Sequence, residues 1–284
     1  AYWYPQKSQG SALALYGGLG NTAPGIFAVL LPMLIANFGF SISYLIWLLM
    51  LFTAGIIIFL LMHDAPSFQL KANGHDVSSE YLLKNHCQEL IPTGKATESL
   101  KTASSDRNTW TLTAIYFVTF GGFIALTAWL PTFWTQSFGV SIVVAGALTA
   151  LYSLLSSIIR IFGGFLSDQF SGEKILTLSL LIMLLGSTTM TIFGNVGIAF
   201  ALTAQVIMAI GMGFANGAVF KLVPKFAPRT VGWTAGIVGG LGAFGGFVIP
   251  LALGSFVTHF EKGYSHAFII FIILTVISFV FLKS

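Results

Sequence analysis

Eight stretches of the chain, at about 11–36, 41–62, 110–135, 141–167, 174–193, 196–220, 231–257 and 266–282, are each long and apolar enough to cross a bilayer, a crossing needing roughly 20 mostly apolar residues. No other feature restricts the fold so tightly. Backbone amides find no water in hydrocarbon, so a spanning chain must be helical or form a closed barrel. The short apolar-out, polar-in alternation of barrel strands is not visible anywhere in the sequence. An all-α polytopic membrane protein is expected. Only 8% of the 284 residues are charged, against about 25% in soluble domains, which excludes the soluble classes.

The cations orient these helices, because short cytoplasmic loops retain Lys and Arg. In an eight-helix layout Lys7, Lys71, Lys84, Lys95, Lys101, Arg107, Lys174, Lys221, Lys225, Arg229 and Lys283 fall on one side, and only Lys262 on the other. Both ends of the chain and residues 63–108 are therefore expected in the cytoplasm, with the protein multi-pass in the cell (inner) membrane and lipid around it. The formal net charge of +4 follows from that asymmetry, so no nucleic-acid partner is expected. A lone Cys87 excludes an internal disulfide and a cysteine metal cluster. His63, His75, His86, His259 and His266 lack the spacing of metal ligands. Neither a metal nor a cofactor is expected.

Residues 63–108, rich in Ser, Thr, Asn, Lys and Glu, form the one long polar stretch and read as a cytoplasmic linker with a short surface helix. They divide two helices, in 1–62, from six, in 109–284. The tetrapeptide GGLG stands at 17–20 and again at 239–242. Placing the two in register makes the first helix of the chain the counterpart of the seventh. Residues 1–62 then read as the last two helices of an N-terminal half, and 109–284 as a six-helix C-terminal half. The opening AYWYPQKSQG has no Met and no signal sequence and reads as an interhelical loop. The expectation is a C-terminal fragment, helices five to twelve of twelve, whose absent N-terminal helices are a partner of those present. A monomer is expected.

This organisation resembles the major facilitator superfamily. GGFLSDQFSGEK at 163–174 is similar to the superfamily's loop signature between the second and third helices of a half, with Gly164 and Asp168 at the expected spacing and Gln169 where Arg is usual. YGGLGNTAPG at 16–25 and GMGFANGAVFKLVPKFAPRTVGWTAGIVGGLGAFGG at 211–246 resemble the paired nitrate signatures of the nitrate/nitrite porter family within it.

Arg160, in LYSLLSSIIRIFGG, is the one charge well inside a predicted span. The nine acids, Asp64, Asp76, Glu80, Glu89, Glu98, Asp106, Asp168, Glu173 and Glu261, all fall in loops or at helix ends. An unpaired Arg at mid-depth costs about 2.5–3.5 kcal/mol even on the mild insertion scale. It either snorkels or bonds a helix carbonyl, or its counter-ion is a substrate anion, for which a planar guanidinium offers two-point contact. The resemblance favours the anion: Arg160 matches the arginine that the family places on its eighth helix.

Tyr116 and Phe120 are four apart and share a helical face. Spacing alone leaves them as packing or as site residues. The resemblance implies an aromatic pair and a tyrosine hydroxyl bracketing the anion. Asn21 is read as an amide donor to that anion or to a neighbouring helix, the first being favoured. Asn216 is expected to bond between helices, and Lys221 to snorkel to headgroups. Gly232, Gly236 and Gly240, and beside them Gly239, Gly242 and Gly246, repeat on one helix. One such stripe is ordinary packing. With Gly17 in the equivalent helix of the other half, the glycines are read as lining the passage and letting one half rock on the other. The expected function is secondary transport of nitrate and/or nitrite by alternating access, through Arg160, Tyr116, Phe120, Asn21, Gly17, Gly239 and Gly242. The alternatives are another small-anion porter of the superfamily and, in a different class, an anion channel. No converging nucleophiles or acids point to an enzyme.

Overall fold

The computed structural model of the protein describes residues 3–74, 79–86, 88–89, 96–260 and 263–283. Asp76, Cys87, Lys95, Glu261, Lys262 and His75 lie outside these. Among the described residues the regular structure is entirely helical. In chain order the α-helices are α1 (Gln9–Gly20), α2 (Thr22–Leu61), α3 (Pro66–Ala72), α4 (Ser79–His86), α5 (Ala96–Ser105), α6 (Arg107–Tyr116), α7 (Gly122–Phe138), α8 (Ile142–Gln169), α9 (Gly172–Phe193), α10 (Ile198–Phe226), α11 (Val231–Ala243), α12 (Gly245–Phe260) and α13 (Ile269–Lys283).

Among the described residues seven helical runs are long and apolar enough to cross a membrane, where the sequence predicts eight spans. The difference lies in the first, Gly10–Leu61, which is 52 residues long. Straight, it would measure roughly 78 Å at about 1.5 Å per residue, more than twice a bilayer core of about 30 Å. It is not straight. Gly39 adopts φ 74° and ψ 170°, a left-handed backbone that suits glycine. Phe27 and Trp47, on either side of it, stack with ring centroids 4.8 Å apart. The two arms therefore fold back on each other about the 37–40 gap between the first two apolar stretches, so that one helical run, bent there, supplies both. The polar 63–108 stretch also departs from expectation, carrying α3, α4 and α5 where one short helix was foreseen.

Caps and breaks account for the remaining boundaries. Asp106 accepts from Asn108 N at the start of α6, and Ser141 and Ser171 accept from Val144 N and Lys174 N at the starts of α8 and α9, satisfying donors a helix start leaves free. Between α6 and α7 the backbone makes a π turn over Phe117–Gly121.

The interior is built on α10, which packs against both α8 and α9, while α1 lies along α8. Small residues permit the α8–α10 approach: a Cβ on Gly213 would come 2.6 Å from Ser156 O, and one on Gly217 2.5 Å from Arg160 O. Within a bilayer such close backbone packing supplies much of the attraction between helices. One set of buried polar groups pairs across this core, Trp134 Nε1 donating to Gln205 Oε1 at 3.0 Å and Gln205 Nε2 to Leu148 O at 2.9 Å.

Candidate functional site

Arg160 sits in the middle of α8 with only 5% of its surface exposed. Its guanidinium lies among α1, α6 and α10, beside Gly17, Tyr116 and Phe220. Its Nη1 donates to Tyr116 Oη at 3.2 Å. With the Asn21 amide oriented by its hydrogen bonds, Asn21 Oδ1 accepts from Nη1 at 2.9 Å and Nδ2 donates to Gly17 O at 3.2 Å. Arg160 Nε has no partner among the described residues. No carboxylate among the described residues pairs with this guanidinium. It is a buried cation held by neutral acceptors.

Aromatic faces enclose it. The guanidinium carbon lies 5.6 Å from the ring centroid of Phe120 and 5.6 Å from that of Phe220, within the range of cation–π attraction. Tyr116 stacks on Phe120 at 4.8 Å and 16°, and meets Phe220 edge-on at 5.1 Å and 79°. Rings that exclude water strengthen the field of the charge they surround.

The glycines complete the enclosure. A Cβ on Gly17 would stand 2.6 Å from Arg160 Cζ, one on Gly242 would stand 2.7 Å from Tyr116 Cδ1, and one on Gly239 would touch Phe220 at 3.7 Å. Of the six other residues singled out in the sequence, Tyr116, Phe120, Asn21 and Gly17 lie against the Arg160 guanidinium, and Gly239 and Gly242 lie against Phe220 and Tyr116 beside it. Asn21 differs in detail, since its amide is turned to Arg160 and to its own helix. The glycine stripes of α11 and α12 diverge: Gly242, Gly245 and Gly246 pack against the span of Tyr116 to Ile124, whereas Gly236 and Gly240 have nothing within 4 Å.

Phe220 was missed. It stands four residues after Asn216 and so on the same face of α10, but among 27 phenylalanines spacing alone does not mark it. Two other expectations are corrected. Lys221 pairs with Asp168, Nζ to Oδ1 at 2.5 Å, and also donates to Lys7 O at 3.3 Å. It does so because Asp168 lies at the end of α8 beside the start of α1, accepting from Gly10 N at 3.2 Å, Ser11 N at 2.7 Å and Ser11 Oγ at 2.5 Å. A carboxylate there satisfies orphan amides at the positive end of a helix. For Asn216 the interhelical bond is not seen at its carbonyl, since its buried Oδ1 has no partner among the described residues. Among the described residues no group of three or more His, Cys, Asp or Glu could hold a metal, and Asn195 Nδ2 lies 3.2 Å from His266 Nδ1.

A family model described as Major Facilitator Superfamily matches residues 1–250 and, in a second register, 136–283. The chain is similar to the "Nitrite extrusion protein" of Bacillus subtilis, 28% identical over 253 residues that are 89% of this chain and 58% of that protein. It is similar to the "Probable nitrate/nitrite antiporter NarK1" of Thermus thermophilus, 34% identical over 158 residues, 50% of this chain and 36% of that one. Against the "Probable nitrate transporter NarT" of Staphylococcus haemolyticus it is 28% identical over 278 residues, 98% of this chain and 65% of the relative. The chain therefore spans less than two thirds of the length of each of these relatives. Among solved structures, the transporter FucP in its outward conformation superposes with a TM-score of 0.60 at 18% identity, over 86% of this chain and 54% of that one. That likeness is one of fold.

Proposed function

This chain belongs to the Major Facilitator Superfamily, and we propose that it serves in secondary transport of nitrate, nitrite or both across the cell membrane by alternating access. The observation that carries this reading is the Arg160 guanidinium: buried, facing two phenylalanine rings, and, among the described residues, without a carboxylate and with Nε unpartnered. A cation so placed is completed by an anion. Aromatic faces and a planar donor fork suit a flat oxyanion, and the relatives named for nitrate or nitrite support the choice.

In this proposal Arg160 binds the anion, Tyr116 and Asn21 hold the guanidinium in place, Phe120 and Phe220 exclude water, and Gly17, Gly239 and Gly242 keep the space free of side chains. Residues 1–62 act with the N-terminal half of a two-half transporter, 63–108 connect the halves in the cytoplasm, and 109–284 form the C-terminal half, with both ends of the chain cytoplasmic in a monomer of the inner membrane. Another small-anion porter of the superfamily is the nearest alternative, and an anion channel the alternative of a different class. Counterflow decides between carrier and channel. Proteoliposomes loaded with unlabelled nitrate should take up labelled nitrate transiently above its equilibrium level, and uptake that is neither saturable nor stimulated from the far side would reject the carrier.

A further inference from the structure

Away from Arg160, α11 and α13 both pack on α6 without closing on each other. The gap between them is a groove of about 440 Å³, walled by apolar side chains that include Trp110, Ala114, Val118, Phe244 and Leu274. From Trp110 to Val118 the groove floor runs eight residues along the helical α6 and π turn, roughly 12 Å at about 1.5 Å per residue. That is most of one leaflet of a core about 30 Å thick. At its shallow end the groove meets a second, smaller notch of about 120 Å³, with Phe281 lining both.

The notch is polar where the groove is not. Arg107, Asn108 and Thr111 line it, as does Glu173. Glu173 is engaged by Lys225, whereas the exposed Arg107 side chain has no ion pair or hydrogen bond among the described residues. The rim carries a membrane-interface marker: Trp110 is 48% exposed and donates its indole N–H to Ser104 O at 2.7 Å, an apolar body with a polar anchor as found at headgroup level. We propose that groove and notch together bind one anionic phospholipid, an acyl chain lying along α6 between α11 and α13 and the phosphate at Arg107. Charge complementarity selects the headgroup and the apolar floor selects a lipid over a free anion.

The test uses the fluorescence of Trp110, isolated as the difference between the protein and its Trp110→Phe variant, both reconstituted in phosphatidylcholine vesicles. Phosphatidylglycerol brominated on its acyl chain should quench Trp110 at about five-fold lower mole fraction than phosphatidylcholine brominated at the same carbon, the selectivity one interfacial arginine supplies. Arg107→Gln, a surface change, should abolish that preference while leaving quenching by both lipids. Ala114→Phe, which fills the floor, should weaken quenching by both. Millimolar inorganic phosphate should not displace the lipid. Equal quenching by the two headgroups, a preference that survives Arg107→Gln, relief by free phosphate, or no Trp110 quenching at all because polypeptide covers the groove, would each overturn the proposal.

Discussion

At the scale of single residues, the question about Arg160 is whether it needs its shape or only its charge. Its Nη1 serves both Tyr116 and Asn21, while Nε, buried beside Gly17, has no hydrogen-bond partner among the described residues, so one donor of the fork is unused. In Arg160→Lys the charge persists but the planar two-point contact is lost. Losing one charge-assisted hydrogen bond, about 1.5–3 kcal/mol, should weaken apparent nitrate affinity about ten- to a hundred-fold in proteoliposome uptake, with normal expression. Wild-type affinity in that variant would remove Arg160 from the site. Arg160 and the glycines of this cluster were legible in the sequence because a charge at membrane depth and a repeated GGLG are rare signals, whereas Tyr116, Phe120 and Asn21 stood out only through the family resemblance. Phe220 was not legible, because whether a phenylalanine faces lipid or a guanidinium depends on how α10 is rotated against α8. The pairing of Lys221 with Asp168 was equally hidden: the two residues are 53 positions apart in the chain, and only the α8–α10 crossing brings them together.

At the scale of helices, the glycines separate into two kinds that composition cannot tell apart. A methyl at Gly242 would meet Tyr116, including its backbone carbon at 3.2 Å, whereas one at Gly236 would meet nothing within 4 Å. Alanine otherwise favours a helix over glycine by about 1 kcal/mol, and overpacking costs about 1–3 kcal/mol. Gly236→Ala should therefore hold or raise the thermal unfolding temperature in detergent, and Gly242→Ala should lower it. The same sign for both would mean that α11 packs otherwise than described. Gly17→Leu places bulk against the guanidinium itself, and should abolish uptake while the protein still inserts. The end of α8 offers another test. Asp168→Asn removes the ion pair to Lys221 and weakens the cap on α1, a loss of about 1–2 kcal/mol. Amide exchange over residues 10–14 should accelerate about ten-fold, and unchanged protection would show that α1 is held by its packing on α8 alone.

At the scale of the whole molecule, span number and helical class were readable because hydrocarbon allows so few solutions. The break at Gly39 was readable as well, because the first apolar stretch ends at 36 and the second begins at 41; how tightly the chain turns there was not. What drives transport depends on where protons can bind. Among the described residues, carboxylates occur only in the polar stretch and at helix ends, Asp168 and Glu173 being the two that border the spans and both engaged by lysines. No acid among them accompanies the buried guanidinium, so the proposed anion site has no proton carrier among the described residues. Anion exchange then follows more simply than proton symport: each anion that leaves must be replaced by another, because resetting the carrier with a bare buried arginine is costly. Proteoliposomes loaded with nitrite should take up nitrate at a rate that rises with internal nitrite and changes little when a proton gradient is imposed. Uptake that requires the gradient and ignores internal nitrite would reject exchange, and would place a titratable carboxylate against Arg160 during the transport cycle.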